Sequence, residues 1–302
     1  MKTVYGIQKT ESIKVIKIRL VVVHLGALAA FLVPFHWQLL VLLAASFLPR
    51  MFGVEAGYHR YFSHRAFKTS RWFQFALALL GASSGQRGAL WWAAHHRTHH
   101  KHADGEGDLH SPLGGFWHSH WGWLMDEKNV DTNLDAVPDF ARYPELRFIN
   151  KFYHLPLFAL LAGLAVAGAN GWLGPNIEGW QAVTWGFFLP TALALHSILA
   201  VNSLAHGGHR LAGYRRFNTP DLTVNHVWLA LPSMGGAWHN NHHRYGAGAR
   251  AGFAWYEIDL SYLGLRMLAA VGLVWDLRPV PAEVLREGGL TEPAKEVESL
   301  AG

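Results

Sequence analysis

Four long apolar runs constrain this 302-residue chain more than any other feature of it. A helix needs about 20 mostly apolar residues to cross a bilayer. The runs lie at about 18–35, 37–53, 155–169 and 180–201. The first contains His24, the second ends near Pro49-Arg50, and the fourth carries Pro190 and His196. A fifth run, 72–82, has roughly half the spanning length and reads as an interfacial or re-entrant helix. Mean hydropathy is only +0.09, so membrane residence rests on these local runs.

The cations divide along the same lines. Residues 1–19 hold five Lys/Arg, 50–151 hold twelve, and nine follow residue 204. Those three segments account for all 26, so the connections near 34–36 and 170–179 have none. Loops on the cytoplasmic side carry the Lys/Arg excess. The expectation is that both termini and the long middle loop are cytoplasmic, with two short turns outside. The calculated pI of 9.5 then describes a basic face toward the membrane, not nucleic-acid binding. No small-residue cleavage pattern follows the first run, so that run is expected to be retained. The expected organisation is a basic tail over 1–17, one membrane domain over 18–282 and an acidic tail over 283–302.

Composition narrows the chemistry. Hydrophobic residues are 51% of the chain and charged residues 16%, which excludes a disordered polymer. Cysteine is absent, which excludes disulfide scaffolds, thiolate-held zinc or iron–sulfur clusters, and cysteine nucleophiles. Histidine reaches 20 copies. Neutral imidazole is the commonest protein metal ligand.

The histidines are clustered. One box is His59-Arg-Tyr-Phe-Ser-His64, a second is His95-His96-Arg-Thr-His99-His100, and a third is His239-Asn-Asn-His242-His243. Asn202 and His206 form a looser pair at the end of the fourth run. Helix neighbours are spaced three or four apart, so His96/His99/His100, His239/His242/His243 and Asn202/His206 each share a face. His59 and His64 do not: five residues turn an ideal helix through about 140° beyond one full turn. They must serve different ions, or a helix must end between them. The boxes follow the second run, precede the third and follow the fourth, so all lie on one side of a membrane and can converge. Nine imidazoles, counted as two, three, one and three, exceed one ion's coordination, so two metals are implied. All-nitrogen ligation suits iron, copper or zinc, and spacing does not choose among them.

At these residues the chain resembles the membrane-bound acyl desaturases of the stearoyl-CoA desaturase type. The resemblance runs through His59 to Lys68, then His96-Arg-Thr-His99-His100-Lys, Ser119-His-Trp-Gly-Trp-Leu124, Val201-Asn202-Ser203 to His206, and Gly236-Ala-Trp-His239-Asn-Asn-His242-His243. It covers about residues 18 to 280. It implies an all-α fold: a four-helix transmembrane bundle under a helical cytoplasmic cap that holds two irons. The implied metal set is His59, His64, His96, His99, His100, His206, His239, His242 and His243, with Asn202 acting through water. An implied acyl tunnel bends beside Gln86 and Trp92, with Ile198 on its wall and Met51 setting its depth. Animal members have Arg-Asp before the second box, and that Arg contacts the CoA moiety; this chain has Ala94-His95. Glu55 replaces a neutral residue and is read as an acceptor for an imidazole N–H, with Asp104 and Asp108 open to the same duty.

The implied activity is O2-dependent desaturation of a fatty acyl chain at Δ9, on acyl-CoA or another acyl thioester or lipid. It needs two irons, O2 and two external electrons. With no cysteine and no dinucleotide fingerprint, the electrons must come from a separate ferredoxin, rubredoxin or cytochrome b5-like donor and its reductase. Hydroxylation or triple-bond formation on the same site is the nearer alternative. A non-catalytic metal- or haem-binding membrane protein is the remoter one, since such proteins keep their ligands inside the spans. His24, His36, His154, His196, His209 and His226 are set aside as packing or hydrogen-bonding residues. His95, His102, His110, His118 and His120 crowd the second box as supports.

Overall fold

The computed structural model describes residues 4–206 and 213–291; His209 and the acidic residues from Glu292 onward lie outside them. Among the described residues, three helices are long and apolar enough to cross a membrane: α1 (Ile13–Leu32), α2 (Trp37–Ser63) and a later one, Gly179–Ala205. Between α2 and that helix lie α3 (Arg71–Ala82), α4 (Ala89–His102), α5 (Phe116–His120), α6 (Pro144–Lys151) and α7 (His154–Ala169). The helix Gly179–Ala205 is α8, followed by α9 (His239–Arg244) and α10 (Leu260–Ala270).

The third apolar run behaves differently from the other three. Its helix, α7, has 16 residues, and α6 before it is bent away by 64°. Pro156 explains the break, because it has no N–H to donate to the carbonyl of Phe152 and its ring crowds that carbonyl. The pair qualifies as a span only when α6 and α7 are counted together. The fifth run forms α3, packed beneath the end of α2 with Leu77 and Ala78 fully buried.

The second run continues past its expected end at residue 53. The last 11 residues of α2, Gly53–Ser63, wind as a π-helix and are buried throughout. The helix α8 contains two π turns, Thr184–Phe188 and Val201–Ala205. In a π turn the backbone bonds run from i to i+5, and His64 N–H donates to His59 C=O at 3.2 Å. Ser63 Oγ also donates to the carbonyl of Tyr58, five residues back, at 2.8 Å. The main core lies around this segment, with Tyr58, Phe62, Leu90, Phe140 and Leu146 between α2, α3 and α4.

Among the described residues, strand structure is limited to three two-residue antiparallel pairs. Ile7–Gln8 meets Thr132–Asn133, Lys68–Thr69 meets Val274–Trp275, and Gly213–Tyr214 meets Asn225–His226. The acidic tail begins later than the expected residue 283. Ala282–Glu287 is helical, and Val284 and Leu285 are buried with Phe217 and Phe253. That apolar pair is why the segment folds back instead of remaining solvated.

The approach of α2 to α3 leaves no room at Gly53. A Cβ there would lie 2.6 Å from the Gly81 backbone nitrogen, whereas at Gly57 the nearest atom would be Leu77 Cβ at 3.4 Å. Gly53→Ala should therefore cost about 1–3 kcal/mol through overpacking. Gly57→Ala should be neutral or slightly stabilising, because alanine loses less entropy in a helix. Thermal unfolding in detergent separates the two, and equal midpoints would contradict this packing.

Candidate metal centre

Nine histidines from four segments meet in two adjacent groups. His59, His64, His96, His100 and His242 form one, and His99, His206, His239 and His243 form the other. Within each group the ring nitrogens lie within 4.8 Å of one another. Each HxxHH box serves both groups. On α4, His96 and His100 go to the five-histidine group and His99 to the four. On α9, His242 goes to the five, while His239 and His243 go to the four. The boxes thus tie the two groups together along two short helices.

His59 and His64 share one group, against the expectation of separate ions. The π turn is the reason: with bonds at i to i+5, residues five apart become neighbours. Their ring centroids are 5.0 Å apart. The alternative expectation also has a counterpart, since the helix ends at Ser63 and His64 is its cap.

Hydrogen bonds determine which ring nitrogen faces inward. Nδ1 of His59 donates to Glu55 at 2.8 Å, His99 to Asp108 at 3.0 Å, His206 to Asp104 at 2.8 Å and His243 to Asp221 at 2.9 Å. His239 Nδ1 donates to the Gly236 carbonyl at 3.1 Å. Carboxylate and carbonyl oxygens only accept, so in these five rings the proton sits on Nδ1 and Nε2 presents a bare lone pair. Glu55, Asp104 and Asp108 thus act as the acceptors expected of them. Asp221 was not legible in the same way. Its signal in the sequence is only a carboxylate in the turn Thr219-Pro-Asp221-Leu-Thr223, one histidine box upstream of the ring it holds.

The inward nitrogens confront one another closely. His206 and His239 Nε2 are 2.7 Å apart, and His59 and His242 Nε2 are 3.0 Å apart. His64–His96, His96–His100 and His100–His242 complete the larger group at 2.8, 3.0 and 3.0 Å. Burial first, and then repulsion by neighbouring rings, hold His64, His96, His100, His206, His239 and His242 well below the ordinary histidine value. Burial takes His243 to about 4, despite the Asp221 carboxylate beside it. Burial pushes Asp104 up to about 6, so it stays mostly ionised at neutral pH. Burial also raises Asp221, but the His243 ring and the Thr223 and Thr219 hydroxyls outweigh it and hold the carboxyl far below its usual range. Neutral imidazoles with protons pinned outward and lone pairs converging repel one another, and a cation among them reverses the sign of that interaction. The donor set therefore fits two metal ions.

Beside the five-histidine group lies a cavity between α1, α4 and α8. Trp92, His96, Ile198 and Asn202 line its inner part, and Gln86, Trp92, Leu195 and Ile198 its apolar continuation. Three of the four expected tunnel residues, Gln86, Trp92 and Ile198, are thus together. Gln86 Nε2 donates to the Ala194 carbonyl at 3.0 Å, which pins it to α8. Met51 is fully buried in an apolar cluster with Ala194, Met234 and Ile198 and is not among the residues that line these two cavities. Asn202 stands at the cavity beside His96, one residue from the π turn's Ser203.

Most of the histidines set aside have other partners. His24, His196 and His120 form a chain, with ring nitrogens 2.9 and 3.0 Å apart, that ends on Ser203 Oγ at 2.9 Å. His196 uses both ring nitrogens in that chain, so the three cannot converge on one ion. His95 donates to the Trp91 carbonyl at 2.8 Å, and His110 stacks on His99 with centroids 4.3 Å apart. His226 accepts from Leu229 N–H, and His36 meets Gln38.

The comparisons with known proteins agree in kind. A family model, fatty acid desaturase, matches residues 34–267. The chain is 34% identical to the sn-1 stearoyl-lipid 9-desaturase of Anabaena variabilis, over 84% of this chain and 90% of that protein. It is 36% identical to the sn-2 palmitoyl-lipid 9-desaturase of Nostoc sp., over 79% of this chain and 81% of that one. It is also 35% identical to the hex-5-enoyl-[acyl-carrier protein] acetylenase of Moorena producens, over 78% and 75%.

The acceptors behind the rings give a direct test. Asp221→Ala should weaken metal retention by about 10–100-fold, because His243 loses the partner that fixes its tautomer. Asp276→Ala should retain metal normally, since Asp276 pairs with exposed Lys68 and, among the described residues, with no ring of the centre. Metal content after graded chelator treatment, read by mass spectrometry, checks both.

Proposed function

The chain belongs to the fatty acid desaturase family, and from that premise we propose that it introduces a double bond at Δ9 into a fatty acyl chain of a membrane lipid. Two irons held by the five- and four-histidine groups would supply the O2-derived oxidant that an unactivated methylene C–H requires. The observation that carries this reading is the junction of His96 and Asn202 with an apolar cavity lined by Trp91, Trp92, Trp123 and Ile198. An acyl chain lying there meets the metal side at fixed carbons, which is how a rigid cavity turns proximity into regioselectivity. The tryptophans keep water from the reacting carbons. Gln86, tied to α8, and Trp92, stacked on His96 with centroids 4.8 Å apart, hold the wall at the bend.

Two cations, Arg19 and Arg87, line the cavity's continuation, but Arg19 is paired with Glu11 and Arg87 is bonded to the carbonyls of Asn129 and Val130. The side beyond His95 favours a lipid over a CoA ester. Beyond His95 the next cavity is lined by Glu127, Lys128 and Asp131, and Lys128 is already paired with Asp126 at 2.9 Å. A polyphosphate head group would meet net negative charge there. Ala94-His95 also lacks the Arg that contacts CoA in animal relatives. The relatives from Anabaena variabilis and Nostoc sp. are named as acyl-lipid desaturases. A second reading, triple-bond formation on the same site, has the Moorena producens relative behind it. The electrons come from a separate carrier, because the chain has no cysteine to hold an iron–sulfur cluster.

The deciding experiment is expression in a host lacking Δ9 unsaturated lipids, followed by mass spectrometry of intact and hydrolysed lipids. New monounsaturated chains with the bond at C9, appearing in glycerolipids before the CoA pool, are the expected result. An acetylenic product would select the second reading, and no change in the acyl chains would refute both.

For the membrane arrangement we propose four crossings, with the bent α6–α7 pair as the third. The two Lys/Arg-free connections then lie outside, and the metal groups and both termini are cytoplasmic. A reporter fused at Gly174 should read as non-cytoplasmic and one fused at Asp135 as cytoplasmic. The reverse pattern would overturn this arrangement.

A further inference from the structure

The outer face of α1 carries an apolar groove of about 490 Å³ that the metal groups do not touch. On the α1 side it is lined by Lys17, Leu20, Val21, His24 and Leu25, and Trp121 and Met125 form the opposite wall. The α1 positions follow the i, i+3, i+4, i+7, i+8 spacing of a single helix face. From Lys17 to Leu25 that face rises about 12 Å. Val21 and Leu25 are 58% and 62% exposed, so the open side of the groove faces the bilayer that α1 is long enough to cross.

His24 brings no free polar edge to the groove. Its Nδ1 donates to the Leu20 carbonyl at 2.6 Å, and its Nε2 meets His196 Nε2 at 2.9 Å. His196 goes on to His120 at 3.0 Å, and Trp121 follows His120 directly. These contacts tie α1, α8 and α5 together, so both walls are in place before anything enters, as in most small-molecule sites.

The groove lies beside the acyl cavity. Leu20 lines both; Ile16 and Arg19 turn to the acyl side, and Lys17 and Val21 to the groove. The facing segment divides in the same way, with Trp123 and Leu124 on the acyl cavity and Trp121 and Met125 on the groove. Two apolar slots thus sit side by side on α1 with Leu20 as the ridge between them, and they begin at adjacent residues, Ile16 and Lys17. An acyl thioester has one chain and needs one slot. A diacylglycerolipid has two chains on neighbouring carbons and needs two slots with a common mouth.

We propose that the groove holds the second, non-reacting acyl chain of a diacylglycerolipid while its other chain lies in the acyl cavity. The inference rests on the desaturase reading and names the substrate class of that site. The glycerol then sits at the N-terminal end of α1, where Lys17 meets the lipid's phosphate. Lipid tails are as apolar as the groove, so entering it from the bilayer brings no hydrophobic gain. The groove acts by fit: one chain held along α1 aligns the other with the metal side.

The test uses the full-length protein with distearoylphosphatidylglycerol as the two-chain lipid and stearoyl-lysophosphatidylglycerol as the one-chain lipid. Native mass spectrometry reads retention of each lipid, and lipid analysis reads turnover by the metal-loaded protein supplied with a chemical reductant. Val21→Trp fills the groove and should lower retention of the two-chain lipid, relative to the one-chain lipid, by at least about tenfold, with a similar fall in the turnover ratio. Val22→Trp, at an exposed position outside both linings, should leave both ratios unchanged. In the unmodified protein, a phosphatidylglycerol with one stearoyl and one diazirine-bearing chain, made as both positional isomers, should label Val21, Leu25 or Met125 on illumination, which tests the idea even if Val21→Trp misfolds. A label confined to other faces would overturn the proposal, as would unchanged ratios in folded Val21→Trp. So would retention lost with the turnover ratio unchanged, because the groove would then hold a bystander lipid. Retention and labelling need no turnover, so failure of the desaturase reading would appear separately, as lipids without new double bonds.

Discussion

The centre of this protein is held together by an interaction that is unfavourable on its own. Nine imidazoles, five of them buried and four half-buried, turn their inner nitrogens toward one another at distances down to 2.7 Å. In the four-histidine group every outer nitrogen donates to a fixed acceptor: Asp108, Asp104, Asp221 and the Gly236 carbonyl. The protons therefore cannot move inward to relieve the lone pairs. Such an arrangement persists where the surrounding fold over-determines it, and it becomes favourable when cations occupy it.

That surrounding fold consists largely of buried polar bonding around the boxes. Arg60 forms a two-point bond with Asp259 at 2.9 and 3.0 Å and also meets Glu55, which holds His59. Asp259 in turn caps α10 by accepting from Tyr262 N–H. In the third box the two asparagines between the histidines anchor α9. Asn240 accepts from the backbone of Arg216 and Phe217, and Asn241 donates to Glu257. Breaking one member of such a network leaves a buried polar group unsatisfied, which costs about 1–3 kcal/mol beyond the bond itself. The boxes are thus held from behind on every side, and their ligating nitrogens have little freedom to rearrange.

The π turns extend the same logic into the long helices. In α2 the wide turn brings His59 and His64 onto one group, and in α8 it sits where Asn202 and His206 leave the helix. The carbonyls loosened by the second turn are not left bare: Ser119 Oγ donates to Asn202 C=O at 2.7 Å. The apolar helices thus end in irregular, polar-bonded turns where the metal site begins. The five-histidine group has an apolar, tryptophan-lined cavity on one side and a basic, aromatic one on the other.

The sequence alone determined the kind of protein this is. Apolar length marked four runs, three of which form single helices long enough to span, and the order and spacing of the boxes marked nine imidazoles for two metals. Those features are written in local composition and in periodicity, which survive without tertiary contacts. Glu55, Asp104 and Asp108 were also legible, because each lies within nine residues of a ring it serves or of the box itself. Other features needed the folded chain. Asp221 meets His243 from 22 residues away. The sharing of His59 and His64 depends on a π turn that no ideal-helix spacing contains, and the bend between α6 and α7 falls just before the apolar run, where hydropathy gives no sign of it. The division of each HxxHH box between two groups likewise needed the folded chain. Spacing places its three histidines on one face, but only the segments that approach that face, with their own rings and carboxylates, decide which nitrogen joins which ion.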